Sequence, residues 1–83
     1  MEFLLRKEPA KVLLFLKGRE SAYLSEIARE TGTTYVYVTN CISMLEEKGM
    51  VSVEPEGKKK MVKLTEKGMD IAAHIEEIRR RIE

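Results

Sequence analysis

The chain has 83 residues, enough for one small domain with a thin core. At 43% hydrophobic and 35% charged residues it has the composition of a globular protein rather than a disordered one. A formal net charge of +1 excludes a global basic field, so any nucleic-acid site has to be a local patch.

One cysteine, Cys41, excludes an internal disulfide, and no Cys/His cluster is spaced for zinc. The longest apolar run, Val12 to Leu16, is too short to span a bilayer. The opening Met1-Glu2-Phe3 lacks the pattern of a signal peptide, so the cytoplasm is the expected location. No glutamine, a single asparagine and abundant Lys and Glu lean toward a thermophilic source.

Residues 1–8, with Phe3, Leu4 and Leu5, read either as a short strand or as the first turn of a helix. Pro9 suits the first position of a helix running to Lys17. Val12 to Leu16 leave little of that helix polar, so cover on more than one side is expected, and Gly18 ends it. Ser21 to Leu24 reads as a loop with a short extended piece.

The stretch from Leu24 to Met50 is the organising feature. Ser25 is the expected N-cap of a helix that turns Ile27 and Ala28 inward and ends at Gly32. Thr33 or Thr34 caps a second helix, on which Val38, Cys41, Ile42 and Leu45 make one apolar face. Gly49 stops it. Two short helices joined through a glycine-containing turn are the frame of a helix-turn-helix.

After Gly49 the period changes to alternation, with Val51 and Val53 inward and Ser52 and Glu54 outward. Pro55 to Lys60, with Gly57 inside, is a turn signal, and Met61 to Leu64 follows, which predicts a β-hairpin with a basic tip. Thr65 caps a last helix that continues almost to Glu83. The expectation is a single domain over residues 1–83, mainly α with a small β-hairpin (α+β), with the helix of about residues 65–82 as a dimerisation element.

This order of helix, short strand, helix, helix, hairpin and helix carries the segments LSEIARETG, YVTNCISMLEEKGMV and KLTEKG. With them the chain resembles a winged helix-turn-helix DNA-binding domain, similar to MarR-type repressors and their small archaeal relatives. The stop at Leu45, Lys48, Gly49 and Val51 and the exit Leu64-Thr65-Glu66-Lys67-Gly68 carry the resemblance, which covers roughly Val12 to Ile75. It implies a second helix in the major groove and a hairpin, the wing, along the minor groove or backbone. MarR-type proteins are longer, with extra helices at both ends, so a small-molecule effector pocket is not expected here.

A turn of about 100° per residue puts Val36, Asn40, Ser43 and Glu47 opposite the apolar face of the second helix, flanked by Tyr35, Tyr37 and Thr39. With Thr33 and Thr34 at the helix start, these residues up to Ser43 are the expected DNA contacts. Hydroxyls bond phosphates or bases, Asn can bond adenine twice, and Val or Thr can touch a thymine methyl. Thr33 to Leu45 holds no charge, where a solvated face would carry Lys or Glu. It also holds no Arg or Lys to grip guanine. Lys58, Lys59 and Lys60 make a phosphate patch on the wing.

On the last helix Gly68, Ile71, Ile75, Ile78 and Ile82 are spaced three, four, three and four, an a/d seam. At about 27 Å such a helix outruns so small a domain. Ile71, Ile75, Ile78 and Ile82 are therefore the expected dimer interface, although Ile71 is also placed to pack on the domain's own first helix. Arg79, Arg80 and Arg81 either pair with Glu76, Glu77 or Glu83 or form a second basic patch. His74 reads as a surface or interface side chain and Cys41 as a small buried hydrophobe. No Ser/His/Asp set or P-loop is present, so neither an enzyme nor a metal or other cofactor is expected. The expectation is a homodimeric transcription regulator on double-stranded DNA. Its rival is a protein-interaction module, with the uncharged tyrosine face docked on another protein.

Overall fold

The computed structural model describes residues 7–82; the expectations for Phe3, Leu4, Leu5 and Glu83 lie outside the described residues. Helix α1 spans Lys7–Lys17, strand β1 Ala22–Tyr23, helix α2 Leu24–Thr31 and helix α3 Tyr35–Glu47. Strands β2 (Val51–Glu56) and β3 (Lys59–Leu64) form the hairpin, and helix α4 spans Glu66–Ile82. The sheet is antiparallel in the order β1-β3-β2, so the short extended piece expected near Ser21 to Leu24 is a strand docked on β3.

The core fills the angle between α1, α2, α3 and the sheet. Val12, Leu13 and Leu16 of α1, Ile27 of α2, Val38 and Leu45 of α3 and Val62 of β3 are completely enclosed. Each such aliphatic side chain stabilises the fold by about 1.5–3 kcal/mol. The cover expected over α1 comes from α2 on one side and α4 on another. The face Val38, Cys41, Ile42 and Leu45 is buried as its spacing requires.

Two helix starts differ from expectation. Helix α1 begins at Lys7, so Pro9 is its third residue and not its first. Pro9 still lies in the first turn, where its missing N–H has no intrahelical partner to lose. Ser25 is not the N-cap of α2. Strand β1 runs directly into the helix, Tyr23 holds the extended cap position, and the Glu26 carboxylate accepts the Tyr23 N–H at 3.2 Å. That contact is the reciprocal half of a capping box: it satisfies the N–H of the cap residue itself, a different donor from the first-turn amides a serine cap would serve.

The end of α3 is joined to the start of α4. Beyond Gly49, at φ 77°, the Met50 N–H returns to Leu45 O at 2.9 Å and the Gly49 N–H to Glu46 O at 2.9 Å, which closes α3. Thr65 caps α4 by accepting the Gly68 N–H at 3.1 Å, and its hydroxyl donates to Gly49 O at 2.6 Å. The Thr65 N–H adds a bond to Met50 O at 3.0 Å. Gly68 makes the joint possible, because a Cβ there would stand 1.9 Å from Met50 O.

Candidate nucleic-acid interface

Helix α3 starts at a side-chain cap, with the Tyr37 N–H donating to Thr34 Oγ1 at 3.0 Å. Between the two expected caps the structure therefore selects Thr34. The helix then presents Val36 (68% exposed), Tyr35 (55% exposed), Asn40 and Ser43 to solvent.

The other expected contacts are partly turned inward. Tyr37 is packed against the core, because its position one residue before Val38 tips the ring toward the buried face. Thr31 donates its only hydroxyl hydrogen to Ile27 O at 2.7 Å. The 3.0 Å contact between Thr31 and Thr33 is then made by the Thr33 hydrogen, which also points inward. The Thr39 hydroxyl donates to Tyr35 O at 2.9 Å within the helix. These three side chains are not the free outward donors that helical arithmetic suggested.

The wing differs from expectation in a way that rearranges its charge. Pro55 to Lys60 is not a turn. The strands pair down to Glu56↔Lys59, leaving a two-residue turn of Gly57 (φ 65°) and Lys58. Pro55 fits because β2 is an edge strand, where a missing N–H breaks no ladder bond. Lys59 and Lys60 are therefore strand residues and project to opposite faces.

The pairing sorts their neighbours. Glu54 lies opposite Met61, Glu56 opposite Lys59 and Ser52 opposite Lys63, so both wing acids share the face of Lys59. The ammonium of Lys59 sits 4.8 Å from the centre of the Tyr23 ring. The Tyr23 hydroxyl reaches Glu56 at 3.4 Å, and the carboxylate charge beside it raises the phenol above its ordinary pKa of 10.0. Lys60 projects with Val62 and Pro55 from the opposite, acid-free face, and Lys58 stands at the tip. The expected tri-lysine patch is thus two open cations, Lys58 and Lys60, and one lysine set among acids.

Sequence reading missed Tyr23, which ties β1 to the wing, and it missed Arg19 and Arg29. Both arginines line a shallow groove with Tyr23, Glu26 and Lys59. Arg19 pairs with Glu26 at 2.6 Å and lies 5.2 Å from the centre of the Phe15 ring, and Arg29 pairs with Glu30 at 3.4 Å. No local signal links them, since only the pairing of β1 with β3 brings them together.

On α4 the isoleucine seam divides. Ile75 is closed into the chain's own core at 5% exposure, because α4 crosses α1 at that level, and it is not open to a second chain. Ile71 is half-buried against the same core. Ile78 and Ile82 lie beyond the crossing and stay 47% and 78% exposed. Arg80 and Arg81 pair with Glu77 at 3.4 and 2.9 Å, so these two are a paired surface rather than a free basic patch. His74 is exposed, with Nδ1 2.8 Å from Asp70 O. Burial pushes the Cys41 thiol up to about 11. Among the described residues no helix is long and apolar enough to cross a membrane.

A helix-turn-helix, a paired wing and a closing helix in this order match the model of the DUF6293 C-terminal winged helix domain over residues 10–76. The chain belongs to this winged-helix family. Regulators of the MarR family share its fold, as the motifs around Gly49 and Gly68 led one to expect. The winged helix is 40% identical over 65 residues to the phenylalanine–tRNA ligase alpha subunit of Metallosphaera sedula, covering 78% of this chain and 14% of that one. It spans about a seventh of that relative's length. The crystal structure of AF1382 from Archaeoglobus fulgidus superposes with a TM-score of 0.89 at 30% identity, over 99% of this chain and 94% of that one. The Staphylococcus aureus MepR–DNA complex superposes with a TM-score of 0.83 at 20% identity, over 98% of this chain and 69% of that one. At that identity the likeness to MepR is one of fold.

Proposed function

We propose that this winged helix binds double-stranded DNA as a homodimeric transcription regulator in the cytoplasm, without catalysis, cofactor or small-molecule effector. Helix α3 enters the major groove by its N-terminal turns, and Lys58 and Lys60 of the wing meet phosphates. The observation that carries this reading is the open face of α3. Tyr35, Val36, Asn40 and Ser43 stand exposed in a charge-free stretch of a chain that is 35% charged. Such a surface suits a partner's groove better than water. Ile78 and Ile82, exposed on the outrunning end of α4, supply a stripe that a two-fold axis would bring against its own copy.

One observation favours a second reading, a protein-interaction module. Glu54 and Glu56 stand exposed on the wing beside Lys59, which keeps the local positive excess small. Titration against random duplex DNA at two salt concentrations separates the two. A regulator binds with an affinity that falls steeply as salt rises. Absence of binding at low salt would leave the protein-partner reading.

A further inference from the structure

We infer that the open face of α3 selects A·T base pairs through the major groove and has no group that bonds guanine through paired donors. This rests on the DNA-binding reading above and specifies what that site recognises. The hydrogen-bond inventory decides it. Thr33 and Thr39 donate internally and Tyr37 packs on the core, so the groups left outward along the face are Tyr35, Val36, Asn40 and Ser43, of which the Tyr35 hydroxyl offers a single bond that does not tell the bases apart.

In the major groove guanine offers two acceptors, O6 and N7, which a cationic side chain with paired donors satisfies. Thr33 to Leu45 contains no such cation. Adenine offers one acceptor, N7, and one donor, N6–H, and only a group with both functions bonds it twice. The amide of Asn40 is that group, and it is the only asparagine in a chain without glutamine. Thymine adds a methyl group, for which an exposed aliphatic side chain is the complement. Val36 is the most exposed apolar side chain on the helix and stands one turn before Asn40 on the same face. The Ser43 hydroxyl makes one bond to any base and so adds no preference of its own. Cytosine would want a carboxylate at its N4 amino group. Glu47, the acid on this face, lies about 10 Å farther along the axis than Asn40, where a recognition helix leaves the groove.

The test begins with selection of sites from random duplexes, followed by titration of the full chain on the best site with altered bases. A·T to G·C exchange at the read positions should weaken binding by roughly five- to 150-fold per pair. Inosine·cytosine pairs carry the major-groove pattern of G·C but lack its minor-groove amino group, so they should weaken binding as G·C does. Deoxyuridine for thymidine removes only the methyl and should cost about fourfold. N40A should erase the preference at one pair while leaving the salt dependence intact, and V36A should erase the sensitivity to deoxyuridine. Selected sites rich in G·C at their centre, or full binding to inosine·cytosine sites, would overturn the inference while leaving DNA binding in place. No binding to any duplex would overturn both readings together.

Discussion

Replacing Gly68 by alanine sets two opposed effects against each other at the joint between α3 and α4. Alanine is the better helix former, by about 0.8–1.0 kcal/mol in a helix interior. Gly68 is the third residue of α4, so a gain of at most that size is available. Against it, the new methyl would stand 1.9 Å from Met50 O and 3.1 Å from the Leu64 side chain. Even close C–H···O contacts keep carbon and oxygen about 3.3 Å apart, so the helix must retreat by about 1.4 Å. The obstacle is backbone, and it is held by the Thr65 N–H bond to Met50 O and the Thr65 hydroxyl bond to Gly49 O. Overpacking of this kind costs about 1–3 kcal/mol, and two weakened hydrogen bonds add roughly 1 kcal/mol. The clash wins, and G68A should be less stable by about 2 kcal/mol, equivalent to a Tm lower by roughly 8–16 °C in a domain of this size. Circular-dichroism melts at one fixed protein concentration read it directly. An unchanged or higher Tm would refute the reasoning, because it would mean that the joint yields at no cost.

Three further outcomes are expected. Replacing Lys58 and Lys60 together by Ala should lower the slope of log affinity against log salt by about two per wing, while K59A alone should change it little. An equal effect of all three lysines would contradict the sorting of wing charge by strand face. I78E with I82E should give a folded 9.6 kDa monomer with weak DNA binding, whereas the parent chain should sediment as a dimer at micromolar concentration; a monomeric parent chain would dispose of the dimer. Finally, Cys41 should resist alkylation at pH 8 in the folded state and react freely in denaturant. Burial raises its thiol from 9.0 to about 11, leaving about one thousandth of it as thiolate. The unfolded thiol ionises first as pH rises, so this group's contribution to stability is intact below pH 9.0 and lost between there and about 11. Fast labelling of folded protein would show that the helix opens around it.

Periodicity made the apolar half of the molecule legible. Val38, Cys41, Ile42 and Leu45 repeat at helical spacing, and their burial needs no knowledge of their partners. The glycine stops were equally plain. What the linear order hid was non-local or competitive. Pro55 and Gly57 together suggest a long turn, and only pairing with β3 reveals that β2 continues through the proline as an edge strand. Ser25 looked like a cap because serine commonly is one, yet the entry from β1 puts Tyr23 at the cap position, with its N–H held by Glu26. On α3, spacing assigned faces correctly for Val36 and Asn40 but could not show that the hydroxyls of Thr33 and Thr39 find nearer acceptors than a nucleic acid. For the seam, the length of α4 was read well, but where its crossing with α1 ends decides that Ile75 goes inward and Ile78 does not.

The two-residue turn of the wing turns the hairpin into an adjustable ruler. Everything between Val51↔Leu64 and Glu56↔Lys59 is held by ladder pairing, and nothing beyond Gly57 and Lys58 has to fit the body of the domain. One residue added to each arm at the tip would carry Lys58 outward by about 3.3 Å and leave every pairing below it in place. A residue added to one arm alone would bulge the strand or exchange its two faces, putting Lys60 among the acids and Lys59 on the clean side. Reach can therefore change between relatives by paired insertions without disturbing the helix-turn-helix, whereas unpaired ones invert the wing's polarity.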